Sequence, residues 1–390
     1  MGRSAGDDVK SHAVIRGIAE REDLLLQPWA MHAKDSRGRD HASNGDANRS
    51  EFQRDRDRII HSRAFRRLQY KTQVFTNEGD HFRTRLTHTI EVSQLARAAA
   101  QRLALNEDLT ESIALVHDVG HPPFGHRGED LLKDLMADHG GFEHNRQGLR
   151  IVEDLESRYP DFPGLNLTYE VRESIIKHSA HYDRAKVPLR FRPDESPLLE
   201  AQLVDEVDSI VYDCHDIDDG LRSGILQRDS LKDVALWQGA WDEAVAASPR
   251  ATSEKLLVDR ALRTLMDVLV GDLVEQSAEN ITREGITTVA DVRKCERQLI
   301  APSPSTRQAK ELLEAWLFAN LYRNYLVNRV FHRARRQLAD LFAFYTEHPD
   351  SLPPQHAARA EGAGLHRAVA DYISGMTDRF AIEEHQRLFA

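Results

Sequence analysis

Apolar residues recur along most of this chain at spacings of three and four, and strict alternation is almost absent. That periodicity lays one helix face against a core, so the expected fold class is all-α. Between residues 51 and 75, Ile59, Ile60, Ala64, Phe65 and Leu68 carry a helical pattern with arginines between them. Thr84-Arg85-Leu86-Thr87-His88 opens a strong helix whose stripe runs His88, Val92, Leu95, Ala99 and Leu103, which places His88 on the inward face. The run Ser112-Ile113-Ala114-Leu115-Val116 predicts another helix, stopped near Gly120 by Pro122 and Pro123, with His117 and Asp118 in its last turn. Phe124-Gly125-His126 reads as a loop able to fold His126 back. The next helix starts at Arg127, with Glu129 in its first turn. Tyr169 to His178 is helical, and residues 184–197, with three prolines, form a surface loop. From Leu199 to Asp216 the stripe is Leu203, Val207, Ile210 or Val211, and Cys214. Asp216-Ile217-Asp218-Asp219-Gly220 is expected to end that helix and leave Asp218 and Asp219 facing solvent. Helical runs then occupy about 229–248, 253–278, 305–346 and 365–388.

Three regions follow. Residues 1–50 are an N-terminal arm, partly loop or disordered: Val14-Ile15-Arg16-Gly17-Ile18 and Leu24-Leu25-Leu26 are its apolar clusters, and 34–50 has almost nothing to bury. Residues 51–225 form the core, with a turn at Phe75 to Asp80. Residues 226–390 form a C-terminal helical region that completes the site and supplies oligomer contacts. No apolar run approaches the roughly 20 residues that span a bilayer, and no secretory signal opens the chain. Two cysteines, Cys214 and Cys295, build neither a disulfide framework nor a cysteine zinc site, which favours a reducing cytoplasm. A net charge of −11 argues against a protein that coats nucleic acid. Residues 49–71 nevertheless carry Arg49, Arg54, Arg56, Arg58, Arg63, Arg66, Arg67 and Lys71. They read either as a solvated face balanced by Asp55 and Asp57 or as a place that gathers a small polyanion.

The candidate chemistry sits in the ten residues from His117 to His126. A borderline-to-hard divalent cation takes mixed imidazole and carboxylate ligands, and this stretch offers both. A solitary His-Asp pair would serve as well to cap a helix C-terminus. Clustered His117, Asp118, His121 and His126 amid helix breakers favour the site. Beside the buried stripe of the 199–216 helix, Asp205, Asp208, Tyr212 and Asp216 share one flank. An inward-leaning carboxylate is expensive unless it is paired or metal-bound. Tyr322-Arg323-Asn324-Tyr325 and Asp378-Arg379-Phe380 place aromatics beside arginines, able to stack on a base or grip a phosphate, or simply to coat a surface.

These residues carry a resemblance. His88, His117-Asp118 and Asp208 resemble the ligand set of the HD-domain metal phosphohydrolases. The blocks Phe52 to His61, Arg83 to His88 and His117 to Glu129, with Asp371 to Arg379, resemble the bacterial dGTPase-like branch of the dNTP triphosphohydrolases. The resemblance covers about residues 28–390. It implies an all-α fold and release of intact tripolyphosphate from a dNTP, within a homo-oligomer and away from membranes. An allosteric dNTP or single-stranded DNA is a further possible partner. It implies that His88, His117, Asp118 and Asp208 hold the metal, and that His126, supported by Glu129, is catalytic. His121 and His144 would line the phosphate site, and Gln73, Arg85, Tyr212 and Asp216 would meet sugar or phosphates. Ser209 stands where a mammalian relative has a phosphate-binding lysine, and Lys177 and Arg379 are the candidates to replace it. The ligand set suits Mn, Fe, Zn, Ni or Co, and Mg less well. His126 would protonate the leaving oxygen or orient the attacking water. The rival readings are another HD phosphohydrolase, such as a nucleotidase or cyclic-nucleotide esterase, and a non-catalytic module binding dNTP or single-stranded DNA.

Overall fold

The computed structural model describes residues 17–43, 45–46, 48–73, 83–178, 183–250 and 253–389. The turn expected at 75–80 and the cluster around Val14 and Ile15 lie outside them. Among the described residues there are helices and no strands, as the periodicity predicts. The first half contains α1 (Ile18–Leu25), α2 (Glu51–Ile60), α3 (Arg63–Arg67), α4 (Arg85–Arg102), α5 (Glu107–Val116), α6 (Gly125–Leu135), α7 (His144–Arg150), α8 (Tyr169–Ile176) and α9 (Leu199–Arg222). The second contains α10 (Ala235–Ala246), α11 (Glu254–Arg283), α12 (Val289–Lys294), α13 (Pro304–Leu317), α14 (Tyr325–Glu347), α15 (Pro354–Ala363), α16 (Leu365–Ser374) and α17 (Asp378–Phe389). No described helix is long and apolar enough to cross a membrane.

Side-chain caps start the helices that frame the site. Ser50 and Gln53 form a capping box at α2, Thr84 and Thr87 form one at α4, and Asn106 caps α5. Each cap satisfies backbone N–H groups that a helix start leaves unpaired. Helices α4, α5 and α9 then pack around Val92, Ala96, Ile113, Val207 and Ile210. Leu265 and Leu269 of α11 and Leu313 of α13 join the same core. A second apolar cluster gathers Leu132 of α6, Leu338 and Phe342 of α14, and Ile373 of α16. The C-terminal region therefore packs against the stretch that carries His126.

Several boundaries differ from expectation. Helix α5 ends at Val116, and His117 is its C-cap. Phe124 and Gly125 both take positive φ, 63° and 59°, and launch α6 two residues early. His126 thus stands in the first turn of a helix rather than in a loop, and Glu129 in the second turn. A Cβ on Gly125 would meet Arg85 Nη2 at 3.1 Å and Gln73 O at 3.2 Å, so glycine is required twice over. Helix α9 runs on to Arg222, and Asp218 and Asp219 are buried. Arg83 explains both: its Nη1 lies 2.5 Å from Asp218 and 3.4 Å from Asp219. The expected 305–346 run breaks at a π-turn, Phe318–Tyr322, and the 365–388 run breaks between Ser374 and Asp378. Part of the polar 34–50 segment is tied down without apolar burial. Arg39 binds Glu51 at 2.8 Å and also Asp55, while the Arg37 backbone donates to Glu170 at 2.8 Å.

Candidate active site

Three elements converge on one cluster. Helix α4 supplies His88, the turn after α5 supplies His117, and α9 supplies Asp208. His88 Nε2 lies 2.7 Å from Asp208 Oδ1, and His117 Nε2 lies 3.6 Å from the same oxygen. One donor atom from each residue falls within 4.8 Å of the others. Asp118 stands at the edge: its Oδ1 is 3.5 Å from His117 Nε2, and its Oδ2 accepts from Arg85 at 2.9 Å. The donor chemistry suits a borderline divalent cation. His117 donates from Nδ1 to Ala114 O at 2.6 Å, which leaves the Nε2 lone pair toward the carboxylates, buried and without a hydrogen-bond partner. Burial pushes His117 down, but Asp118 and Asp208 outweigh it and raise its pKa. Burial also opposes the charge of Asp208, yet His117, His178 and His88 hold it well below the usual carboxylate range.

His88 is oriented from behind. His215 Nε2 donates to Glu91, and His215 Nδ1 lies 3.2 Å from His88 Nδ1. Burial pushes His215 down to about 4, so the ring is neutral at pH 7 and its Nδ1 accepts. His88 must then donate from Nδ1, which frees its Nε2 lone pair for the cluster. His178 is a second neighbour that the sequence gave no reason to single out beyond a helix end. Its Nδ1 contacts Asp205, and its Nε2 lies 3.7 Å from Asp208 Oδ2. Those two carboxylates overcome burial and raise His178 well above 6.5. The missed signal was a histidine closing α8 paired with the inward flank of α9.

Beside the cluster is a group of donors with few acceptors. Arg85 is 1% exposed, and its Nε and Nη2 have no partner. Gln73 Oε1 is likewise unpartnered. His121 stacks on His144 with ring centres 4.0 Å apart; its Nδ1 lies 3.1 Å from Asp118 Oδ1, and its Nε2 is buried without a hydrogen bond. Burial first, then Arg85 and His144, push His121 well below 6.5, so it is neutral. Glu129 does more for His144 than for His126. It accepts from His144 N at 2.8 Å and Nδ1 at 2.9 Å, whereas His126 Nδ1 is 3.8 Å away. His126 leaves 54% of its side chain exposed to the cavity.

That cavity is about 570 Å³ and is lined by Asp208, His178, His126, Tyr212 and Asp216, together with Lys310 and Tyr322 from the C-terminal region. The Tyr322 hydroxyl lies 2.7 Å from that of Tyr212 and also contacts Asp216. Burial raises Asp216 well above the usual carboxylate range. Neither candidate for the Ser209 contact reaches the cavity. Lys177 is turned into the protein, bound to Glu173 at 2.9 Å and to the carbonyls of Arg192 and Glu195. Arg379 is exposed and pairs with Glu383 at 2.7 Å. Lys310 of α13 is the cation that meets Ser209, with Nζ 2.8 Å from its hydroxyl and 2.8 Å from Asp213. No local pattern links residues 209 and 310. The C-terminal region also braces the loops: Asp378 accepts from Thr72 N and Phe124 N, both at 2.9 Å.

Comparison with known proteins agrees with this geometry. The HD domain family matches residues 85–213, which contain His88, His117, Asp118 and Asp208. The phosphohydrolase-associated domain matches residues 300–387, which contain Lys310 and Tyr322. A deoxyguanosinetriphosphate triphosphohydrolase-like protein of Geobacter metallireducens is 48% identical over 95% of this chain and 96% of its own. Proteins of the same name are 50% identical in Ralstonia nicotianae, over 94% and 95%, and 46% identical in Bordetella pertussis, over 94% and 97%. The chain therefore belongs to the deoxyguanosinetriphosphate triphosphohydrolase-like proteins, a family of HD-domain phosphohydrolases.

Proposed function

We propose that this protein is a metal-dependent deoxynucleoside triphosphate triphosphohydrolase, turning a dNTP and water into a deoxynucleoside and tripolyphosphate. One observation carries the reading: a single cavity joins Asp208 of the cation cluster, the exposed ring of His126, and the Tyr212–Tyr322–Asp216 group. The relatives' name suggests dGTP among the substrates.

His88, His117 and Asp208, with Asp118 beside them, would hold one divalent cation. When bound, such an ion activates water and neutralises phosphoryl charge. Arg85 offers donors to the phosphate oxygens, with the rings of His121 and His144 beside it, which explains why Nε and Nη2 of Arg85 are left over inside the protein. The water oxygen bonds to the α-phosphorus, and the bond from that phosphorus to the 5′-oxygen breaks. His126 would give the departing 5′-oxygen its proton and recover, by way of solvent, the one that the attacking water loses. Glu129 fixes His144 and lies close enough to bias the His126 ring. Tyr212, Tyr322 and Asp216 form a wall for the deoxyribose, where Tyr212 leaves no room for a 2′-hydroxyl.

The test is to incubate purified protein with each dNTP and each ribonucleotide, with Mn, Mg or Co, and to resolve products by ion exchange. Free tripolyphosphate from dNTPs is the expected result. Pyrophosphate or orthophosphate as the released anion would contradict the reading.

A further inference from the structure

The start of α6 brings a second group of metal-type side chains together. His126 and Glu129 stand three residues apart on that helix, so they share a face. The ring of His121 meets the ring of His126 edge to face, with centres 5.3 Å apart. One donor atom from each of His121, His126 and Glu129 falls within 4.8 Å of the others. None of the three belongs to the cluster of His88, His117 and Asp208.

Their lone pairs are open. His121 is 3% exposed, and its Nε2 has no partner. Asp118 Oδ1, 3.1 Å from His121 Nδ1, favours the hydrogen on that nitrogen and leaves the Nε2 lone pair unused. Glu129 gives Oε1 to the backbone and ring of His144, at 2.8 and 2.9 Å. Its Oε2 shares that ring nitrogen at 3.0 Å and lies 3.8 Å from His126 Nδ1. Two imidazoles and one carboxylate are a set that zinc takes, with water in the fourth position. Two features oppose a cation here. Arg85 Nη2 lies 3.1 Å from where a Cβ on Gly125 would stand, and the N-terminal dipole of α6 is positive. This group therefore fills after the cluster at Asp208, to which two carboxylates contribute.

We propose that His121, His126 and Glu129 form a second divalent-cation site, for ions of the Zn²⁺ and Co²⁺ class, distinct from the cluster at Asp208. Mn²⁺, lowest in the affinity order for such ligands, leaves it empty. Its consequence rests on the proposed function: the second ion is inhibitory. A ring whose lone pair is on the ion cannot take up the second proton that makes His126 an acid.

The test is titration of the whole protein, first dialysed against chelator, with Co²⁺. The visible absorption of the bound ion and the turnover of dGTP are followed in the same samples. Two equivalents per chain are expected, with turnover rising over the first and falling over the second. His126→Ala should bind one equivalent. Glu129→Gln should weaken the second roughly tenfold or more, and unchanged thermal melting shows that both variants fold. Asp208→Asn should lose the first equivalent and keep the second, which separates the fate of this site from that of the catalytic reading. A single equivalent in the unsubstituted protein, or two of unchanged affinity in both His126→Ala and Glu129→Gln, would overturn the site. Turnover that holds its plateau through the second equivalent would overturn the inhibition.

Discussion

At one end of the candidate catalytic cavity, His88 and His117 crowd behind Asp208 within the HD domain, residues 85–213. At the other end, Tyr212 meets Tyr322, more than a hundred residues away in the region after 300. The first end holds a run of unpartnered buried polar atoms: His117 Nε2, His121 Nε2, and Nε and Nη2 of Arg85, whereas the second has one oxygen of Asp216. The second is largely closed by its own hydroxyl contacts. Buried polar atoms without partners cost free energy, on the order of 1–3 kcal/mol each, so a fold keeps them where a ligand will satisfy them. The contrast separates the end that is completed by what binds from the end that is preformed to fit it.

The largest expected effect falls on the first end. Asp208→Asn removes the oxygen nearest both histidines, and turnover should drop below detection while the far-UV CD spectrum stays helical. Measurable turnover would break the contrast. His126→Ala should lower kcat by about 10²–10⁴-fold with a smaller change in KM, as expected for a lost proton donor. Glu91→Gln tests the bracing of His88 from behind. Metal affinity should fall about 10–100-fold, read by titration with Mn²⁺. At the preformed end, Tyr322→Phe keeps the ring and removes the hydroxyl, so KM should rise by roughly tenfold at most. If Tyr322→Phe abolished turnover while Asp208→Asn did not, the two ends would have exchanged roles.

A separate effect, on stability rather than turnover, concerns Lys71, whose Nζ donates to the His121 carbonyl at 2.5 Å and to the Ser374 carbonyl at 2.9 Å. Burial pushes Lys71 down to about 7 from 10.5. Between those values the unfolded chain binds the extra proton, so stability rises with pH from about 7 to 10.5 and falls on acidification through the same window. Lys71→Met should flatten that part of the curve of melting temperature against pH. An unchanged slope would mean that another group sets it.

What could be read from the sequence divides along the same line. The helical class and the inward position of His88 followed from spacing, because a helix turns by a fixed angle per residue. His117 and Asp118 were visible because their chemistry is local and bounded by Pro122 and Pro123. Contacts between distant segments were not visible. Asp218 and Asp219 looked solvent-exposed because Arg83, which pairs with both, stands 135 and 136 residues earlier. Lys177 and Arg379 were reasonable cations in the wrong places, while Lys310 carried no motif to mark it. The resemblance set Glu129 to support His126, but the fold turns it mainly toward His144, fifteen residues on.

On the proposed function, His88, His117 and Asp208 share one divalent cation, with Asp118 alongside. Crystals soaked in Mn²⁺ and measured at an anomalous wavelength test it directly. One strong peak per chain is expected within coordination distance of His88 Nε2, His117 Nε2 and Asp208 Oδ1, absent from Asp208→Asn. A peak elsewhere, or one unchanged in that variant, would contradict it.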